Sequence, residues 1–106
     1  MAREVTYTFS GSEERRCSEV AEMQRIVKQL TAPKATLITN VDGWSGYLDF
    51  QVLEDSRIEM EIMEHTSEFA TVDVPTAAQV MEIAMTDTRS IPLRQRLSGL
   101  QIEWLT

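Results

Sequence analysis

Tyr47 to Glu64 reads YLDFQVLEDSRIEMEIME, and this stretch decides the fold. Leu48, Phe50 and Val52 alternate with Tyr47, Asp49 and Gln51; after Glu54-Asp55-Ser56-Arg57, Ile58, Met60 and Ile62 alternate with Glu59, Glu61 and Met63. A side-chain period of two in consecutive runs predicts two half-buried strands, and the polar spacer joins them as an antiparallel hairpin. One face is apolar and must be covered. The other carries Asp49, Glu59 and Glu61 and is the most distinctive surface in the sequence.

Outward from the hairpin, Val5 to Phe9 and Thr36 to Val41 read as strands, and Asp42-Gly43 ahead of Trp44-Ser45-Gly46 is a turn signal. Trp44 has two readings there, a ring folded back over the sheet edge or an exposed anchor at the rim of a binding face. A helix begins at Ser12 or at Ser18 and runs to about residue 30, because Val20, Met23, Ile26, Val27 and Leu30 recur at helical spacing. Its opposite face holds Arg15, Arg16, Glu22, Arg25 and Lys28.

Phe69 to Val74 is the next strand. Thr76, with Gln79 three residues on, has the form of a capping box ahead of Ala77, Val80, Met81, Ala84 and Met85, and that helix fades near Asp87-Thr88-Arg89. The basic segment LRQRLSG reads as a loop or short turn, in which Arg94 and Arg96 join Arg89 as a small basic patch. Leu100 to Leu105 is the last strand. The expected architecture is one α+β domain over residues 1–106. Its element order is β-α-β-β-β-β-α-β, with both helices packed on one face of a mostly antiparallel sheet. Parity across hairpins then places Tyr47, Asp49 and Gln51 beside Glu59, Glu61, Met63, Phe69, Thr71 and Asp73 on the open face.

With 106 residues, 42% of them hydrophobic, the chain has material for one core. The formal net charge of −7 argues against direct binding to nucleic acid or to an anionic membrane. It favours fast association with a basic protein. No run of residues is apolar and long enough to span a bilayer, and the start of the sequence lacks an apolar signal segment, so the expectation is a cytoplasmic protein. The single cysteine, Cys17, rules out an intramolecular disulfide and a multi-cysteine zinc site.

Chemistry finds little to stand on. Cys17 with His65, the lone histidine, is the sole Cys–His combination, and nothing local to either marks a nucleophile with its base. The four glycines are dispersed, so no phosphate-cradling loop is formed. The carboxylates could in principle hold a divalent cation or act as an acid–base pair, but a flat, solvated sheet face suits neither task. The prediction is a protein that is not an enzyme, with no catalytic residues, no metal and no cofactor.

SEVAEMQRIVKQL, the strands TLITNV, YLDFQVL, IEMEIME and FATVDV, the helix entered through VPTAAQVMEIAM, and the closing LQIEWL come in a familiar order. In this, and in Gln101-Ile102-Glu103-Trp104 behind the second helix, the chain resembles a family of small immunity proteins from bacterial polymorphic-toxin systems. The resemblance implies a protein that binds and blocks a cognate toxin, often a nuclease or deaminase with a basic substrate groove. It points to the acidic face, with Asp49, Glu59, Glu61 and Asp73 supplying charge, Tyr47, Met63 and Phe69 supplying contact area, and Trp44 at the rim. Two other readings stay open: a phage or accessory assembly subunit that self-associates, and a phage-encoded inhibitor of a host nucleic-acid-binding enzyme. Partner identity and oligomeric state stay open too.

Overall fold

The computed structural model describes residues 2–86 and 91–105. In chain order the elements are β1 (Val5–Phe9), β2 (Arg15–Cys17), α1 (Val20–Val27), β3 (Thr36–Val41), β4 (Tyr47–Val52), β5 (Ile58–Met63), β6 (Ser67–Val72), α2 (Val74–Thr86), α3 (Leu93–Arg96), a 3-10 turn (Leu97–Gly99) and β7 (Glu103–Leu105). The strands form one seven-stranded sheet in the order β2-β1-β3-β4-β5-β6-β7, and every neighbouring pair is antiparallel. The fold class is therefore α+β with a fully antiparallel sheet.

The alternation read from the central stretch places the core. Leu48, Phe50, Val52, Ile58, Met60 and Ile62 are all buried, and they join Val5, Leu37, Val41, Ala70 and Val72 on the covered face. Met23 and Val27 of α1 and Ala77, Val80, Met81, Ala84 and Met85 of α2 belong to the same buried cluster. Gln24 of α1 donates to the Ala78 carbonyl of α2 at 3.2 Å, tying the helices together. No helix among the described residues is long and apolar enough to cross a membrane.

The elements differ from the expected ones at three places, in order at two and in bounds at one. Residues 15–17 are a strand rather than the start of the first helix. Phe9-Ser10-Gly11-Ser12 reverses the chain, with positive φ at Ser10 and Gly11 and the Ser12 amide bonded to Phe9 O, so the following residues return along β1. Cys17 lies opposite Val5 and is buried, which holds that segment extended, and α1 begins only after Glu19. A three-residue edge strand carrying Arg15 and Arg16 also blunts the sheet edge.

The chain turns into α2 at Val74, so β6 is Ser67–Val72 and not 69–74. Pro75 is tolerated there because the first-turn amides have no partner within the helix. Third, LRQRLSG folds into α3 and the 3-10 turn, with Leu93 and Leu97 buried, and the last strand shortens to Glu103–Leu105. The expected fading of the second helix at 87–89, with Arg89 itself, lies outside the described residues. Arg94 and Arg96 are committed internally. Arg94 stacks 3.8 Å from the Trp104 ring centroid, and its Nε stands 3.0 Å from Glu68 Oε2, an ion pair not aligned as a hydrogen bond. Arg96 donates to the Ile91 and Ile83 carbonyls.

Candidate functional site

The open face of the sheet is built by register. Thr8 lies opposite Ile38, Ile38 opposite Asp49, Asp49 opposite Glu61, Glu61 opposite Phe69, and Phe69 opposite Leu105. One row therefore crosses six strands with two adjoining carboxylates at its centre. The flanking apolar side chains are exposed, Ile38 by 46%, Phe69 by 36% and Leu105 by 52%, in a chain that hides its other sheet aliphatics. A parallel row runs Thr36, Gln51, Glu59, Thr71, Glu103. Tyr47, Met63 and Ser67 make a third. Parity thus brings together Asp49, Glu59, Glu61, Tyr47, Met63 and Phe69, as the sequence implies.

Asp49 and Glu61 face each other in different states. Glu61 is fixed: its Oε2 accepts the Tyr47 hydroxyl at 2.8 Å and the Ser67 hydroxyl at 2.7 Å. Bonding to that carboxylate raises the Tyr47 pKa. Asp49 is only half solvated, and its Oδ1 is enclosed with no hydrogen-bond partner. Burial first, and the Glu61 charge second, push its carboxyl up to about 6, against the pull of the Thr39 backbone amide. A shallow cleft of about 160 Å³ opens over the pair, with Ile38 and Phe69 as apolar walls and Thr36, Gln51 and Glu59 along its border. None of Asp49, Glu59 and Glu61 has a cationic partner among the described residues.

Two of the residues assigned to this face have other work. Asp73 caps α2. Its Oδ1 accepts the Thr76 amide at 2.9 Å and its carbonyl accepts the Ala77 amide at 3.0 Å, so it takes the capping place that the sequence gives to Thr76. The side-chain and backbone hydrogen bonds from Thr76 lower its pKa, so this support is present above the ordinary carboxylate range and is lost as the pH falls through it. Asp73→Ala is expected to cost about 1 kcal/mol in urea unfolding, with faster amide exchange in the first turn of α2, and Asp73→Asn distinctly less. An unchanged Asp73→Ala protein would show the cap to be dispensable.

Trp44 takes the folded-back alternative. It is partly buried against the core, and its indole N–H donates to Glu64 Oε2 at 3.2 Å. Glu64 also accepts the Leu93 and Arg94 amides at 2.8 and 3.2 Å, so one carboxylate joins the β3–β4 turn to the start of α3.

Ile38, Leu105 and Glu103 belong to the face although they were not among the residues assigned to it. Glu103 follows from the alternation of the last strand. Ile38 is marked by being the apolar residue out of phase in TLITNV, where Thr39 is buried instead and donates its hydroxyl to Leu48 O at 2.6 Å.

Cys17 and His65 are not brought together. Cys17 is on β2 and His65 follows β5, four strand spacings or ~19 Å across the sheet. Burial raises the Cys17 thiol pKa, away from a reactive thiolate. Among the described residues no three His, Cys, Asp or Glu side chains converge as metal ligands would. No protein-family model, curated protein or solved structure matches the chain.

Proposed function

We propose that this chain is a cytoplasmic binding protein whose open sheet face docks onto a basic protein surface, in the manner of an immunity protein that blocks a nuclease or deaminase toxin. The observation that carries the reading is the row Ile38–Asp49–Glu61–Phe69–Leu105, in which exposed apolar side chains flank carboxylates that have no internal counter-charge. Directly opposed like charges weaken a sheet, and a basic partner relieves that repulsion while covering the apolar flanks. The same surface chemistry suits a phage-encoded inhibitor of a basic host enzyme, and genomic neighbours separate the two sources.

Capture from the source lysate, followed by kinetics on the purified partner, tests the reading. The double reversal Glu59→Lys with Glu61→Lys is expected to slow association at least tenfold at low salt and to flatten its salt dependence. Equal association rates for wild type and variant would remove this face from the proposal. A self-associating assembly subunit is the rival reading, favoured by exposed Leu105 on the edge strand β7. It requires a mass that rises with concentration, and a strict monomer eliminates it.

A further inference from the structure

We infer that the cleft between Ile38 and Phe69 receives a single cationic side chain of the partner, its aliphatic stem lying on those two walls and its charged head between Asp49 and Glu61. The inference rests on the reading of the open face as a docking surface and specifies what that surface grips.

The walls come first. Ile38 and Phe69 stand on β3 and β6, three strand spacings or ~14 Å apart, with Asp49 and Glu61 between them in the same row and all four lining the cleft. That leaves a trough suited to an extended, unbranched stem, and Lys and Arg are the side chains that pair such a stem with a charge. The carboxylates come second. Glu61 Oε2 is occupied by the Tyr47 and Ser67 hydroxyls, which fixes the group while leaving Oε1 with no hydrogen bond among the described residues. Asp49 Oδ1 is enclosed with no hydrogen-bond partner, so that oxygen lacks a donor even though the Thr39 backbone amide acts on the carboxylate. An N–H donor carrying positive charge is the group that both carboxylates lack.

Competing occupants fit worse. A divalent cation needs more oxygen ligands than this pair offers, and no third acidic side chain converges with them among the described residues. A second copy of the chain, joined through the same face, would set carboxylate row against carboxylate row.

The test is an NMR titration of the whole chain with n-butylammonium and n-butylguanidinium, with n-butanol as the uncharged control. Both cations are expected to give saturable shifts at the Ile38 methyls, the Phe69 ring and the Asp49 and Glu61 carboxyl carbons. Butanol should shift none of the carboxyl signals, and Asp49→Asn, checked for native amide dispersion, should weaken cation binding at least threefold. A preference for the guanidinium identifies an arginine-type grip, and a preference for the ammonium a lysine-type one. Absence of saturable shifts with both cations, equal shifts with butanol, or undiminished binding by Asp49→Asn overturns the inference. If the cations fail while the double charge reversal still slows partner association, the docking face stands and the cleft falls. If the cations bind but charge reversal leaves association unchanged, the cleft stands and the docking face falls.

Discussion

Gly46→Ala is expected to lose on the order of 3 kcal/mol in urea unfolding, at the upper end for overpacking. Gly46 leads into β4 where the strand begins its pairing with β5 at Tyr47 and Met63. A methyl group there would overlap the Met63 carbonyl oxygen outright and stand 2.9 Å from Trp44 Cζ2. Neither neighbour can yield cheaply. The Met63 carbonyl is backbone within a paired strand, and the Trp44 ring is packed against the core with its N–H on Glu64. Relief requires parting the β4–β5 hairpin at its end or expelling the indole, and either movement loosens the Glu64 contacts that hold the start of α3. Tryptophan fluorescence should therefore shift to the red in the folded variant. Gly99→Ala is the control, since a Cβ there meets no atom within 4 Å, and its change should stay within about 0.5 kcal/mol. If the two substitutions cost the same, the close approach at Gly46 is not a rigid feature of the fold.

The contrast between those glycines also marks what a sequence can and cannot reveal. The β4–β5 hairpin was legible because its signal is local: strict alternation fixes which side chains are buried, and parity then fixes which of Tyr47, Asp49, Glu59, Glu61 and Met63 share the open face. Helix α2 was legible in its buried stripe for the same reason. What escaped depends on partners distant in sequence. Arg15–Cys17 is too short to show a period and becomes a strand because β1 offers an edge. Ile38 lies outside because Thr39 can satisfy its hydroxyl on Leu48 O and pack inward. Asp73 has the parity of the acidic face, but the chain leaves the sheet at that residue and a free helix end claims its carboxylate. Glu64 gathers Trp44 from 20 residues away and the Leu93 amide from 29, and no local spacing announces such a junction.

The intramolecular roles of Asp73 and Trp44 redraw the candidate face. Removing Asp73 and Trp44 leaves side chains of the sheet alone, and adding Ile38 and Leu105 gives the carboxylates apolar flanks on both sides. A charged centre with apolar margins reverses the usual anatomy, in which an apolar centre is ringed by polar groups. On the proposed reading such a face would need its partner to neutralise the centre, and a neutral or acidic surface would bury Asp49 and Glu61 without compensation.

The largest signature of that arrangement should be visible without any partner. The Asp49 carboxyl is raised from 3.8 to about 6 in the folded chain, so between these values the folded state holds a proton that the unfolded state has released. Stability must then fall as the pH rises through that window, the reverse of an ion-paired aspartate. The full shift corresponds to roughly 3 kcal/mol, and because Asp49 is half solvated, screening reduces this to on the order of 1 kcal/mol. Asp55 and Asp73 are shifted downwards by their hydrogen bonds and lose their support only as the pH falls through the ordinary carboxylate range, below the window in which Asp49 acts.

Asp49→Asn removes the charge while keeping the shape. It should be more stable than the wild type by about 1 kcal/mol at pH 7, equal to it near pH 4, and free of the decline between. Urea unfolding of both proteins at unit intervals of pH checks this, and a variant no more stable at pH 7 than the wild type would mean that Asp49 is solvated and unperturbed. The same variant should bind cations more weakly while folding more firmly. Those two outcomes together would support the proposed docking role of Asp49, because stability alone gives no reason to keep a half-buried carboxylate beside Glu61.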